Sequence, residues 1–405
     1  MSNLVPLREV VERSTGTRNP AASPDEEFTY IDVAAVDNQR KIIVGARSIR
    51  GSDALSRARK LIKTGDVLVS TVRPNLNAVA LVPPNFNGQV ASTGFCVLRA
   101  TPQMLPEYLF FFARSRVFVE GLTNLVAGAM YPAVSDSQVL DQRLPLPSLG
   151  EQRRTVDLLS RAEGIVRLRR ETQAKAAEII PALFLDMFGD PATNPKGLPV
   201  VALGEALRAA DYGSSTKASE SGAGLPLIRM GNVTYAGNLD LSDLKYVELE
   251  SAEADRFRLV RGDLLFNRTN SKELVGKTGL WDGELDAVAA SYFIRLRADE
   301  GMARSFYLWA FMNSRHMKRV VFDTARGAIG QANINSKELK AFRLPLPSLD
   351  VQVEFEERCR SVLAIVAQQT EALKNAEATF QALLSRAFSN DLATAPLAAE
   401  EAAVA

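Results

Sequence analysis

Arg143-Leu144-Pro145-Leu146-Pro147-Ser148-Leu149 returns without a change as Arg343-Leu344-Pro345-Leu346-Pro347-Ser348-Leu349, 200 residues further on. Seven consecutive identities are not a chance event, and the register holds beyond them. Gln152 matches Gln352, Val166 matches Val366, Ala176 matches Ala376, Ala182-Leu183 matches Ala382-Leu383, and Phe188 matches Phe388. Upstream the match is looser and slightly shifted. Gly65-Asp66-Val67-Leu68 answers to Gly262-Asp263-Leu264-Leu265, Tyr108-Leu109 to Tyr307-Leu308, Ser115-Arg116 to Ser314-Arg315, and Gly128-Ala129-Met130 to Gly327-Ala328-Ile329. A solenoid repeats every ~20–50 residues, so this longer period means a tandem duplication: two similar domains, each followed by a similar element.

That element is a helix. In the second copy Phe355, Cys359, Val362, Val366, Gln369, Leu373, Ala376, Phe380, Leu383 and Ala387 mark a stripe with the ~3.5-residue period of a coiled-coil seam. In the first copy the same register runs through Leu159, Ala162, Val166, Arg169, Gln173, Ala176, Ile180, Leu183 and Met187, and Gly189-Asp190-Pro191 stops it. Ser348 or Asp350 can cap the second helix. Pro181 is expected to kink the first or shift its hydrogen bonds. Each helix spans about 40 residues, roughly 60 Å at the rise of ~1.5 Å per residue. Two such stripes predict that the helices pair. Leu158, Ile165, Ile179 and Phe184 widen the first stripe beyond a two-helix seam and are candidates for binding partner subunits.

The flanking regions, up to about 145 and from 197 to about 345, read as mixed strand and helix. Asp66–Thr71 and Ala78–Val82 have the composition of strands, and Pro106–Phe118 and Arg304–Val321 that of helices. Their Phe and Tyr residues are read mainly as core.

Net charge is +1, with 48 Lys and Arg against 47 Asp and Glu, but the charge is not evenly spread. Nine basic residues face two acids between Arg40 and Arg73, and eight face two between Arg304 and Arg343, which suits an anion-binding surface in each half. Arg57, Arg59 and Lys60 are candidates in the first stretch. Two polar loops follow a Gly-Asp and a short apolar run at matching places: Thr71, Arg73, Asn75 and Asn77 in one copy, Asn267, Arg268, Thr269, Asn270 and Lys272 in the other. Arg and Asn can grip guanine and adenine edges through paired hydrogen bonds, while Thr and Lys hold phosphates. Tyr212, Ser215, Lys217, Arg229, Asn232, Gln331 and Asn333 extend the candidates in the second copy.

Composition and motifs restrict the chemistry. Cys96 and Cys359 are the only cysteines and His316 the only histidine, too few for a disulfide framework or a Cys/His metal site. There is no phosphate-binding Gly-rich Walker loop, no HExxH and no Gly-x-Ser-x-Gly. No apolar run approaches the ~20 residues of a membrane-spanning helix, and Met1–Pro6 lacks the basic start and apolar core of a signal peptide. A binding protein in the cytoplasm, with no catalytic, cofactor or metal residues of its own, is the expectation.

Leu-Pro-Leu-Pro-Ser-Leu-x-x-Gln at the head of each helix, Leu183–Pro191 at the end of the first, and the phrases Gly65–Asn77 and Gly262–Gly276 together resemble the specificity (S) subunit of type I restriction-modification systems. The resemblance covers nearly the whole chain. It implies an α+β protein with two mixed α/β target-recognition domains (1–146 and 197–346), a central helix (147–190), and a distal helix (347–390) antiparallel to it in a coiled coil. Pro181 and the Ala/Glu-rich tail (391–405), which is expected to be disordered, depart from the family pattern. The tandem copies would then be related by a pseudo-twofold axis, each domain reading one half of a split site in double-stranded DNA. Implied partners are two modification (methyltransferase) subunits carrying S-adenosylmethionine, and restriction (motor-nuclease) subunits using ATP and Mg. The alternatives are an enzyme with an unrecognised site, and a structural coiled-coil adaptor whose end domains bind protein.

Overall fold

The computed structural model describes residues 3–126, 132–220, 222–328 and 331–389. The chain forms two compact units. Unit 1 takes the chain up to Arg170 and again from Ala372; unit 2 is Glu171–Glu371. The expected tail 391–405 lies outside the described residues, as do Gly128-Ala129-Met130.

Unit 1 contains two sheets of three or more strands. One has the strand order Arg47–Arg50, Glu27–Ile31, Val90–Ser92, Ala58–Leu61, and the other Phe95–Leu98, Val67–Ser70, Val79–Leu81. Helices α1 (Pro106–Arg114), α2 (Arg116–Asn124) and α3 (Asp136–Leu140) follow, and then α4 (Leu149–Ala176). The continuous helix expected over Pro106–Phe118 is broken at Ser115. This residue takes extended backbone angles and caps α2 by accepting from the Phe118 amide.

Unit 2 begins within α4 and continues into α5 (Ile179–Phe188). Its sheets have the strand orders Leu207–Tyr212, Phe293–Ala298, Leu264–Asn267, Thr278–Leu280 and Lys245–Val247, Leu225–Ile228, Val288–Ala289. A third, the ribbon Thr269–Asn270, Gln331–Asn333, Arg326–Ala328, stands beside them. Helices α6 (Ser251–Phe257), α7 (Ser305–Asn313), α8 (Arg315–Thr324) and α9 (Ser336–Lys340) lead to α10 (Leu349–Phe388). Ser314 separates α7 from α8 as Ser115 separates α1 from α2, so the helix expected over Arg304–Val321 is also two.

The repeated phrases have the same structural job in each unit. Arg143–Leu146 is a strand, antiparallel to Asn3–Pro6, and Arg343–Pro345 is one antiparallel to Val200–Ala202. Each joins the end of its domain to the beginning. The Tyr108 hydroxyl donates to the Pro145 carbonyl at 3.2 Å, and the Tyr307 hydroxyl donates to that of Pro345. Gln152 is fully buried: its Oε1 accepts from the Leu105 amide at 2.8 Å, and its Nε2 donates to the Gln103 and Pro147 carbonyls. Gln352 does the same with Arg304, Met302 and Pro347. Gly65 and Gly262 have positive φ, +85° and +94°, which favours glycine at the turn. The buried Asp66 and Asp263 after them accept from Arg99 and Arg297.

The long helices pair antiparallel within each unit. In unit 1, Arg114 bridges Glu163 of α4 and stacks on Phe380 of α10, while further along α4 Arg170 meets Glu377 at 2.6 Å. In unit 2, Gln173 donates to the Thr370 hydroxyl at 2.9 Å, and Phe184 and Phe188 pack edge-on to Phe355. The seam positions predicted from the heptad are buried or half-buried along both helices. The first helix is interrupted at Ala177-Glu178, four and three residues before Pro181, where the Glu178 amide turns to the Lys175 carbonyl. The helix ends bury more than a seam: Phe388 packs on Tyr108 and Phe112 in the unit 1 core, and Phe184 on Tyr307 in that of unit 2. Both cysteines are buried and free, with burial pushing each thiol up to about 12.

Candidate nucleic-acid interface

In unit 2 the strand Leu264–Asn267 runs out of the sheet into the ribbon strand Thr269–Asn270, and the outlet is fixed by Asn267. Its buried amide donates to the Thr269 and Tyr292 carbonyls and accepts from Asn270 Nδ2 at 2.8 Å. Arg268 stands at the outlet. Its guanidinium lies 4.8 Å from the centroid of the Tyr212 ring, and Nη2 donates to Asn333 Oδ1 at 3.1 Å. The Tyr212 hydroxyl in turn accepts from the Ser336 amide. Three predicted residues, Tyr212, Arg268 and Asn333, thus meet. The Arg268 amide donates to the carbonyl of Tyr292, whose side chain is 44% exposed, and Gln331 is exposed on the Asn333 strand. A stacked guanidinium loses little freedom on binding and keeps its in-plane donors for a base edge or phosphate.

Lys272 is exposed on the next turn, its ammonium 4.5 Å from the ring centroid of Phe322 on α8. Ser215 and Lys217 are exposed beyond Tyr212. Other predicted residues are internal supports. Asn267 and Thr269 are buried, and Asn270 is engaged with Asn267. Asn232 is buried and donates to the Asp240 and Asp243 carbonyls, while Arg229 pairs with Asp243 at 3.0 Å. These side chains hold loops in place and are not presented to a ligand.

In unit 1 the corresponding outlet has smaller side chains. The Ile334 amide donates to the Arg268 carbonyl, and the Val134 amide to that of Thr71, so Arg268 is the structural counterpart of Thr71 and not of Arg73. Thr71 is buried, its hydroxyl donating to the Gly94 carbonyl. The loop beyond it is under backbone tension: Arg73 and Asn77 both have left-handed angles, φ +49° and +47°, as does Lys41 at +58°. Lys41 donates to the Asn77 side chain at 2.8 Å, and Asn77 Nδ2 donates to the Ala113 carbonyl at the end of α1. Burial, with the Arg114 charge nearby, lowers the Lys41 pKa to about 8. Arg73 and Asn75 are exposed on this loop between the exposed Val72 and Leu76. Arg57 is exposed, Arg59 donates back to the Ala58 carbonyl at 2.8 Å, and Lys60 is paired with Asp136.

Of the apolar helix residues expected to face partners, Ile165 and Ile179 are exposed and Leu158 is half-buried. Phe184 is not available: it is 2% exposed, packed among Phe188, Tyr307 and Phe355. The widened stripe at that end of the helix is domain core. Sequence reasoning missed Tyr235, Tyr292, Lys277, Lys318 and Phe322, whose exposure or bracing depends on tertiary placement and leaves no local signature.

The chain matches the family model of the type I restriction modification DNA specificity domain twice, over residues 3–177 and 203–375. It belongs to that family and carries two copies of its domain. Among curated relatives, the specificity subunit of the type I restriction enzyme EcoKI from Escherichia coli (strain K12) is 27% identical over 318 residues, 74% of this chain and 68% of that protein. The StySPI specificity subunit from Salmonella potsdam is 25% identical over 325 residues, again 74% of this chain and 68% of the relative. Among solved structures, a chain from a type I restriction-modification system described for its assembly and conformational transition superposes with a TM-score of 0.64 at 30% identity, covering 96% of this chain and 98% of its own. The S subunit of a type I system from M. genitalium shares the fold at 13% identity and a TM-score of 0.51, with 96% of each chain covered. The protein is a non-catalytic DNA-specificity subunit of a type I restriction-modification complex. No helix of the described residues is long and apolar enough to cross a membrane.

Proposed function

We propose that each unit reads one half of a bipartite site in double-stranded DNA, and that unit 2 reads its half through Arg268, with Asn333, Gln331 and Tyr212 around it. The observation that carries this is the Arg268 guanidinium, stacked on Tyr212 and steadied by one hydrogen bond to Asn333. An arginine so placed is prepared for paired hydrogen bonds to a guanine edge, and its loss removes both bonds at once. Lys272, Lys217 and Ser215 supply phosphate contacts in unit 2, and Arg73, Asn75 and Arg57 contact DNA in unit 1.

In this reading the target-recognition domains are 1–146 and 197–346. The helices 147–190 and 347–390 set the separation of the half-sites and dock two modification subunits, with Leu158, Ile165 and Ile179 among the docking residues. Those subunits bind S-adenosylmethionine and flip the target adenine. The restriction subunits bind ATP and Mg, and the assembly works in the cytoplasm.

The test is to co-express the chain with its modification subunit and map methylated adenines by long-read sequencing. Arg268→Ala is expected to relax or abolish recognition of one half-site and leave the other intact. Equal loss at both halves, or an unchanged methylated sequence, overturns the assignment.

A further inference from the structure

The loop between the strands Leu225–Ile228 and Lys245–Val247 ends in a turn, Thr234-Tyr235-Ala236-Gly237, closed by the Gly237 amide donating to the Thr234 carbonyl at 3.0 Å. Buried and half-buried side chains hold it from below. Lys277 Nζ donates to the Met230 and Val233 carbonyls at 2.8 and 2.6 Å, and the Trp309 indole donates to that of Gly237 at 2.9 Å. Lys318 Nζ donates to the Tyr235 carbonyl at 2.5 Å. Asn232 ties the two legs together, and Arg229 and Asp243 form an ion pair across the neck. Gly237, at φ +87°, sits so close to α7 that a Cβ would meet Asn313 Nδ2 at 2.4 Å.

Removing a lysine ammonium from water is costly. Here Lys277 is buried, its pKa lowered by that burial, in order to fix a loop whose tip is apolar and exposed. Tyr235 is 55% exposed and Met230 is also exposed. The Lys318 ammonium lies 3.6 Å from the Tyr235 ring centroid. Lys318 and Phe322 are one turn apart on α8 and therefore neighbours on its surface. Lys318 touches Tyr235 and Phe322 touches Lys272, which places the loop tip alongside the Arg268 loop, on the same face of α8. Among the described residues, the exposed large aromatics of the chain are Tyr212, Tyr235, Tyr292 and Phe322, all in unit 2, and three of them carry a stacked cation. Rigid aromatics edged by lysine and arginine suit nucleic-acid bases beside phosphates.

We propose that the loop 229–243 is a second DNA-reading element of unit 2, in which Tyr235 packs against the bases of the half-site while Lys318 and Lys272 hold the adjacent phosphates. The inference rests on the reading of unit 2 given above and adds to it a base contact from a different loop. Arg229 and Asn232 are positioning residues in it, and Tyr235 makes the contact.

The experiment uses the complex with the modification subunits and a duplex carrying the methylation-mapped site. Binding is followed by fluorescence anisotropy, and 2-aminopurine substituted through the half-site at positions other than the methylated adenine, which the modification subunit itself flips, reports unstacking. Tyr235→Ala is expected to weaken binding about tenfold or more, on the scale of lost base stacking, and to abolish a 2-aminopurine response confined to the half that Arg268→Ala affects. Tyr235→Phe is expected to keep both, because the ring and not the hydroxyl makes the contact. If Tyr235→Ala binds like the parent while Arg268→Ala fails, the loop inference falls and the Arg268 reading stands. If both bind like the parent, the reading of unit 2 falls with it. An equal loss on a scrambled duplex with no 2-aminopurine response on either duplex would mean that the loop touches only the backbone, and would overturn the base contact.

Discussion

Units 1 and 2 share a frame and differ in what they mount on it. Where unit 2 places Arg268, Tyr292 and Asn333 around its strand outlet, unit 1 has Thr71, Gly94 and Ala133 at positions matched by the same backbone hydrogen bonds and bridges. The loop after the strand Glu27–Ile31 corresponds to the loop after Leu225–Ile228, since each of these strands pairs parallel with its equivalent neighbour. Both loops are closed at the neck by an ion pair, but of opposite sense: Asp32 with Arg47 in unit 1, Arg229 with Asp243 in unit 2. The tip is Asn38-Gln39-Arg40 in one and Tyr235-Ala236 in the other. On α2, Val119 and Thr123 stand where α8 has Lys318 and Phe322. Duplication has therefore kept the parts that close each domain and changed the side chains that project from it. Two unlike half-sites can be read only by surfaces that have diverged in this way.

The largest effects should come from the kept parts. Phe388 is packed edge-on to Phe112 in unit 1, and Phe355 on Phe184 and Phe188 in unit 2. Replacing either by Ala should cost about 3–5 kcal/mol through lost burial and an unfilled cavity. Hydrogen exchange is expected to show Phe388→Ala loosening unit 1, including α1, and Phe355→Ala loosening unit 2, including α7. Uniform loosening of the whole chain by either variant would show that the units do not open separately.

A smaller pair of effects should be matched. Gln152 and Gln352 each leave one amide and two carbonyls without their partner when truncated to Ala. The cost of unsatisfied buried groups is about 1–3 kcal/mol each way. Denaturant midpoints of the two variants should fall by similar amounts. A loss at one site and none at the other would break the equivalence of the two helix heads.

The matched parts were also the legible ones. The heptad stripes, the two-domain duplication and the separate roles of loop and helix follow from periodicity and repetition, which are local properties of the chain. Leu-Pro-Leu-Pro marked the helix heads correctly, but its own conformation, a strand pairing with a segment some 140 residues earlier, depends on a partner that local pattern does not name. For the same reason Phe184 looked like a docking residue. Its stripe position is apolar on either reading, and only the approach of Tyr307 and Phe355 decides that it is core. At the site, Tyr212, Arg268 and Asn333 could be picked out as nucleic-acid chemistry but not as neighbours. Asn232 and Asn267 have the right chemistry and spend it on backbone carbonyls. Tyr235 is one tyrosine among eight until the loop beneath it is braced.

The mildest prediction separates the units by acidity. Each has a half-buried lysine beside its proposed reading loop, Lys41 in unit 1 and Lys318 in unit 2, and burial lowers both pKa values from 10.5 to about 8. In the unfolded chain these lysines keep their protons to the ordinary value. Between about pH 8 and 10.5 the unfolded state therefore binds more protons than the folded one, and the contribution of both groups to stability rises with pH across that window. DNA affinity should move the other way, because each lysine that loses its proton removes a positive charge from the surface. Lys318→Met keeps the length of the side chain and removes the titration. Its affinity for the complete site should therefore fall less between pH 7 and 9 than that of the parent, and the remaining pH dependence should belong to the half read by unit 1. A variant whose affinity falls as steeply as the parent's would show that Lys318 carries no charge to the DNA, and that the cation over Tyr235 serves only to hold the loop.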